Sequence, residues 1–165
     1  MIGKGGELRM KKILTIIVCF FFLIFLVGCS FRFNDSKPVI QNREGSLGRY
    51  YVKVTSHFVS PSAGGNDILI LSFDFTNNGE AGISAASALR LTLYQSGIEL
   101  SPASRPLSLD GYDSANYQTK VKDGATLNCQ AAFRLRSDSD PVEVEIAPSF
   151  SFGTEKVTAE LDIAG

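Results

Sequence analysis

The chain has 165 residues, 44% of them hydrophobic and 20% charged, with 16 basic against 17 acidic side chains and a formal charge of −1. That balance excludes a basic nucleic-acid binder, and the length suits one domain able to bury a real core. A single histidine, and three cysteines with no C-x-x-C spacing, exclude a structural zinc site of the Cys/His kind.

Residues 10–29 read M-K-K-I-L-T-I-I-V-C-F-F-F-L-I-F-L-V-G-C. Two lysines, an apolar run over 13–27 and a small-residue close have the three-part layout of a secretory signal. The last four, Leu26, Val27, Gly28 and Cys29, resemble the bacterial lipobox. That resemblance implies that the signal peptidase reads Leu26, Val27 and Gly28 and cuts just before Cys29. It also implies that the Cys29 thiol carries a diacylglyceryl group. The competing reading is a plain transmembrane anchor, but a crossing helix needs about 20 apolar residues. This run falls short and ends in Gly-Cys-Ser, with no basic stop-transfer cluster. Residues 1–9 fit no targeting logic, and Lys4-Gly5-Gly6-Glu7 is what a purine-rich ribosome-binding site spells when read in frame. Translation is therefore expected to begin at Met10.

Residues 1–28 hold four basic side chains and one acidic, so their removal lowers the formal charge from −1 to −4. A mildly acidic body argues against binding anionic lipid by net charge and leaves anchoring to the lipid on Cys29. Cys19 departs with the signal and Cys29 is consumed by lipid, so Cys129 is the one thiol left and no intramolecular disulfide can form. Residues 29–48 are polar, with Pro38 and Gly45, and read as a tether. At about 3.3 Å per residue its reach is roughly 60 Å.

From residue 49 the apolar period becomes two, which predicts strands. Tyr50, Val52 and Val54 open the first, and a turn cluster spans 61–67. Residues 68–76 (I-L-I-L-S-F-D-F-T) form the predicted central strand, apolar on both faces in its first half. Asn77-Asn78-Gly79-Glu80 stops it. Residues 81–88 are small and ambiguous. Leu89, Leu91 and Leu93 mark the next strand, and Ser96-Gly97 predicts a two-residue hairpin into 98–100. Residues 101–114 form a long loop, 117–121 a short strand and 122–124 a turn. Over 125–136, Leu127, Cys129, Ala131, Phe133 and Leu135 share one face. Asp138 to Pro141 form a turn, and strands follow over 142–146 and 157–163 around a pair of phenylalanines, Phe150 and Phe152. Seven to eight short strands with Gly/Pro/Asn turns imply an all-β antiparallel β-sandwich over 49–165.

The segments D-I-L-I-L-S-F-D-F-T-N-N-G-E, L-Y-Q-S-G-I-E-L-S-P, D-G-A-T-L and P-V-E-V-E resemble the immunoglobulin-like domain of uncharacterised lipoproteins of Gram-positive bacteria. The likeness covers roughly residues 50–163. It implies the fold and an extracytoplasmic, lipid-anchored place at the cell membrane, and it carries over no catalytic residue.

The chemistry is sparse. His57 lacks the partners of a hydrolytic triad, and there is no G-x-S-x-G and no phosphate loop. Cys129 lies in phase with core residues, where a thiol is an inert small hydrophobe. Glu143 and Glu145 are solvent-facing, with no glycosidase cleft in view. The expectation is a non-enzymatic module without cofactor or metal, binding an unknown protein or small ligand through its loops and no nucleic acid. The alternatives are a structural or accessory envelope lipoprotein and an unrecognised envelope enzyme. Alternating strand direction assigns loops 77–87, 101–115 and 137–141 to one end, which would gather Glu80, Arg105, Asp110, Tyr112, Asp113, Asp138 and Asp140. Such a cluster would suit a cationic partner or calcium. Aspartates are also ordinary turn residues, and the D-x-D-x-D-G loop is absent.

Overall fold

The computed structural model describes residues 43–62, 66–79, 81–103, 109–150 and 153–164, all in the compact unit Val39–Gly165. Among them run ten strands: β1 (Glu44–Leu47), β2 (Tyr50–Ser60), β3 (Ile68–Asn77), β4 (Ile83–Ser84), β5 (Leu89–Gln95), β6 (Ile98–Glu99), β7 (Lys120–Val121), β8 (Thr126–Arg134), β9 (Val142–Pro148) and β10 (Val157–Leu161). Two single turns of helix accompany them, α1 (Ala85–Ala88) and α2 (Ala115–Gln118). One sheet has the order β1-β2-β3-β8 and the other β10-β9-β5-β6, with β4 and β7 as a small separate pair. Every pairing is antiparallel. The fold is an antiparallel β-sandwich. No helix among the described residues is long and apolar enough to cross a membrane.

The core is the inner face of both sheets, as the alternation of side chains requires. Leu69, Leu71, Phe73 and Phe75 of β3 meet Leu93 of β5, Val142, Val144 and Ile146 of β9, and Leu161 of β10. Cys129, Ala131, Phe133 and Leu135 join them in the phase read from the sequence. The doubly apolar start of β3 has a specific cause. Ile68 and Ile70 face outward into a second cluster with Ala132, under Phe58, Leu109 and Tyr112. Ala103, Leu109 and Tyr112 thus cover the outer face of that sheet at Ile68 and Ile70 and keep it dry.

Three local features differ from the sequence reading. Residues 44–47, expected in the tether, form β1, with Gly45 opposite Val52 and Leu47 opposite Tyr50; Leu47 is buried. Four residues are too few for a periodicity, and β1 is held by pairing to β2. Tyr117, expected in a strand, lies in α2, where its ring meets Phe73 edge-on at 6.1 Å. Finally, β2 carries a bulge between Val54 and Ser56. The extra residue shifts the alternation by one, so His57 and Val59 stand opposite Leu71 and Leu69 on the core side. His57 is half-buried there, its Nε2 2.8 Å from the carbonyl oxygen of Asp162 just after β10.

Candidate binding cleft at one end of the sandwich

The two ends of the sandwich are built differently, because different turns close them. At one end Asn77 organises the chain. Its buried amide donates to the carbonyls of Ala81 and Val121 at 2.9 Å each, and its Oδ1 accepts the Gly79 N–H at 2.9 Å. Gly124 N donates to the Asn77 carbonyl and Asn78 N to that of Arg49, so turns 48–49, 77–79 and 122–124 lie together.

At the other end Gln95 has the corresponding role. It continues the inward row of Leu89, Leu91 and Leu93 and is 2% exposed. Its Nε2 donates to the carbonyls of Ser137 (3.1 Å) and Asp140 (2.8 Å), and its Oε1 accepts from Arg136 N (2.7 Å) and Ser137 N (3.2 Å). A buried amide is costly unless satisfied, and here the backbone of the 136–140 turn satisfies it. Ser137 Oγ accepts from the N–H groups of Ser139 and Asp140, tightening the same turn. Ser96 and Gly97 form the expected hairpin turn with positive φ of 49° and 75°, the pattern of a type I′ turn. The Ser96 hydroxyl donates to the Asp140 carboxylate at 3.0 Å.

A cleft of about 340 Å³ opens beside this turn, lined by Asn66, Asp67, Leu135, Arg136, Ser137 and Asp138. Leu135 N donates to the Asp67 carbonyl and ties the two walls together, while Asp67 Oδ1 accepts from Ser62 N. The cleft therefore presents carboxylate, guanidinium, amide and hydroxyl groups on a backbone held by a buried side chain. Such a surface recognises polar groups by hydrogen bonds and charge.

The expected cluster of loop residues is divided. Asp138 and Asp140 lie at the cleft end, together with turns 66–67 and 96–97. Asp110, Tyr112 and Asp113 lie on the connection over the outer face of the sheet. There Asp113 N donates to Gln130 Oε1, its Oδ1 accepts the Ala115 N–H, and Tyr112 packs on the Ile68–Ile70 cluster. Leu26, Val27, Gly28, Cys29, Arg105 and Glu80 lie outside the described residues. Among the described residues no three acidic, histidine or cysteine groups converge as a metal site would need. The misgrouping has one source. Alternation makes 98–100 and 117–121 a pass across the sheet each, whereas residues 101–103 lie at the cleft end of β8 and 115–121 run beside it to the opposite end. Pro102 bridges Phe133 at one end, Cys129 Sγ is 3.6 Å from the Asn116 carbonyl midway, and β7 ends beside Asn77.

The two isolated reactive groups are also accounted for. Cys129 is buried, and burial first and Asp74 second push its thiol up to about 11. It stands opposite Phe73, whereas His57 stands opposite Leu71, so the two are two residues out of register across β3. What sequence reasoning missed is the lining of the cleft. The available signal was Gln95, a polar residue in step with three leucines.

A family model described as "Domain of unknown function (DUF5067)" matches residues 31–148. No curated protein matches the chain. Among solved structures, a candidate lipoprotein from Staphylococcus aureus subsp. aureus NCTC 8325 is similar with a TM-score of 0.58 at 12% identity, over 76% of this chain and 91% of that one. A protein from Enterococcus faecalis gives 0.54 at 16% identity over 74% and 90%. An uncharacterized beta-sandwich protein from Clostridium difficile 630 gives 0.52 at 10% over 75% and 93%. At these identities the likeness is one of fold.

Proposed function

The chain belongs to the family described as a domain of unknown function, DUF5067, and from that premise we propose that it is a lipid-anchored extracytoplasmic binding module. In this reading Cys29 carries the diacylglyceryl anchor, and the sandwich offers the cleft beside Gln95 to a protein or small-ligand partner without catalysing a reaction. The strand order supports an immunoglobulin-like module. β2-β3-β8 facing β10-β9-β5-β6 corresponds to strands A-B-E facing G-F-C-C′. The lipobox and the resemblance to lipoproteins of Gram-positive bacteria support the anchor.

The observation that carries the binding role is the fourfold hydrogen bonding of Gln95 to the 136–140 turn. It preorganises polar groups around a cleft before any partner arrives, and preorganisation lowers the cost of binding. Labelled palmitate should enter the wild type and not Cys29→Ala. Material captured from the native envelope by the wild type should be lost from Arg136→Glu/Asp138→Lys. Equal capture by both would exclude the cleft, whatever the labelling shows.

A further inference from the structure

Two large hydrophobic side chains among the described residues are exposed, and they stand at opposite ends. Ile98 is 51% exposed near the cleft, whereas Phe150 is 94% exposed at the end organised by Asn77. Ser149 N donates to the Ala88 carbonyl, which sets the Phe150 turn beside α1. A groove of about 250 Å³ runs from Phe150 past Pro148, Ala88, Ile83, Tyr50 and Leu47. Arg49 borders it, as does Glu155. Arg90, opposite Ala147, and Lys122, in the neighbouring turn, add exposed cations at this end against Asp123. Lys156 follows Glu155 and pairs with Glu145. The cleft end has the opposite bias, with Asp67, Glu99, Asp138 and Asp140 against Arg134 and Arg136.

We infer that the Phe150 end lies on the anionic lipid surface of the membrane, with Phe150 inserted at the headgroup boundary and the cleft turned outward. Interfacial binding grows with buried apolar area plus attraction to anionic lipid, and this end supplies both while the other supplies acidic repulsion. The inference rests on the proposed anchor at Cys29. Thirteen residues separate Cys29 from Arg43 and reach about 45 Å when extended, so the tether lets either end meet the bilayer and the surface decides between them. Tethering also makes a weak contact sufficient, since covalent linkage to the anchor makes the surface contact intramolecular and raises its effective concentration.

The chain has no tryptophan, so one introduced residue is a clean reporter. Full-length lipidated Phe150→Trp and Ile98→Trp are reconstituted in phosphatidylglycerol–phosphatidylcholine vesicles, part of whose phosphatidylcholine is brominated. The residue-150 reporter should shift to the blue and be quenched, and the residue-98 reporter should do neither. Arg49→Gln and Lys122→Gln should each lower lipid partition of the unlipidated Cys29→Ala/Phe150→Trp protein about fivefold. Equal quenching at both ends, quenching at residue 98 alone, or none at either would overturn the inference. A blue shift in native envelopes that is absent from protein-free vesicles would also overturn it, in favour of a protein partner. Flotation separates the two readings. If the wild type fails to float, the anchor has failed, and unlipidated Cys29→Ala/Phe150→Trp at high lipid then decides the surface alone. A shift there supports the inference and its absence refutes it.

Discussion

The side-chain amide of Gln95 donates to the Asp140 carbonyl at 2.8 Å, joining the end of β5 to the turn that leads into β9. Three further bonds to Arg136 and Ser137 make this one side chain the frame of the cleft. Gln95→Ala leaves several buried backbone groups unpaired, at about 1–3 kcal/mol for such a loss. The expected outcome is a lower melting temperature with faster amide exchange concentrated at 136–140. Uniformly faster exchange across all strands would show that Gln95 supports the fold as a whole and does not specifically frame the cleft.

Asn77 is the counterpart at the other end. Asn77→Ala should cost about 3 kcal/mol, since two carbonyls and one N–H lose a buried partner, whereas Asn78→Ala, at an exposed position, should stay within about 0.5 kcal/mol. Urea melts of the two variants check this. Equal losses would mean that Asn77 is not the residue that holds the turns together.

Phe133 is 4% exposed in the core, and its neighbour Arg134 is half-exposed on the outer face. Phe133→Ala should destabilise by about 3–5 kcal/mol, a large share of a domain's total. Arg134→Ala should cost about 1 kcal/mol or less. Similar losses at the two positions would overturn the register of β8.

Cys129 makes stability fall at alkaline pH. Its thiol is raised from 9.0 to about 11 in the fold, so between these values the unfolded chain ionises first and binds fewer protons than the folded one. Stability then declines as pH rises through that window. Tyr117, raised chiefly by burial and then by the charges of Cys129 and Tyr112, adds to the decline above pH 10. Denaturant midpoints of the wild type should drop between pH 9 and 11, and Cys129→Ala should flatten part of the slope. The native thiol should also resist a disulfide reagent at neutral pH until the protein unfolds.

Asp113 and Asp138 belong to different parts of the surface, one beside Gln130 in mid-strand and the other in the cleft. Their replacement by Asn should therefore be additive within about 0.5 kcal/mol. A coupling well above that in a double-mutant cycle would restore the single acidic cluster.

Much of the sandwich was legible in the sequence because alternation reports locally which side chains avoid water. Val52 and Val54, the β3 row from Leu69 to Phe75, and the β8 row from Cys129 to Leu135 all point where their period says. What alternation cannot carry is the direction of the chain between strands. Pro102, Ala103, Leu109, Tyr112 and Asn116 are held by contacts to β8 and to the outer face of β3, in a stretch with no period of its own, so the end to which Asp138 belongs emerged only in three dimensions. The same holds for β1, too short to show a pattern, and for His57, which one bulged residue turns toward the core. Net charge was legible as well, yet it is a sum. Only the tertiary structure sets Arg49, Arg90 and Lys122 at the same end as Phe150 and leaves Asp67, Asp138 and Asp140 at the far end, because which turns share an end is decided by strand pairing across the sheets.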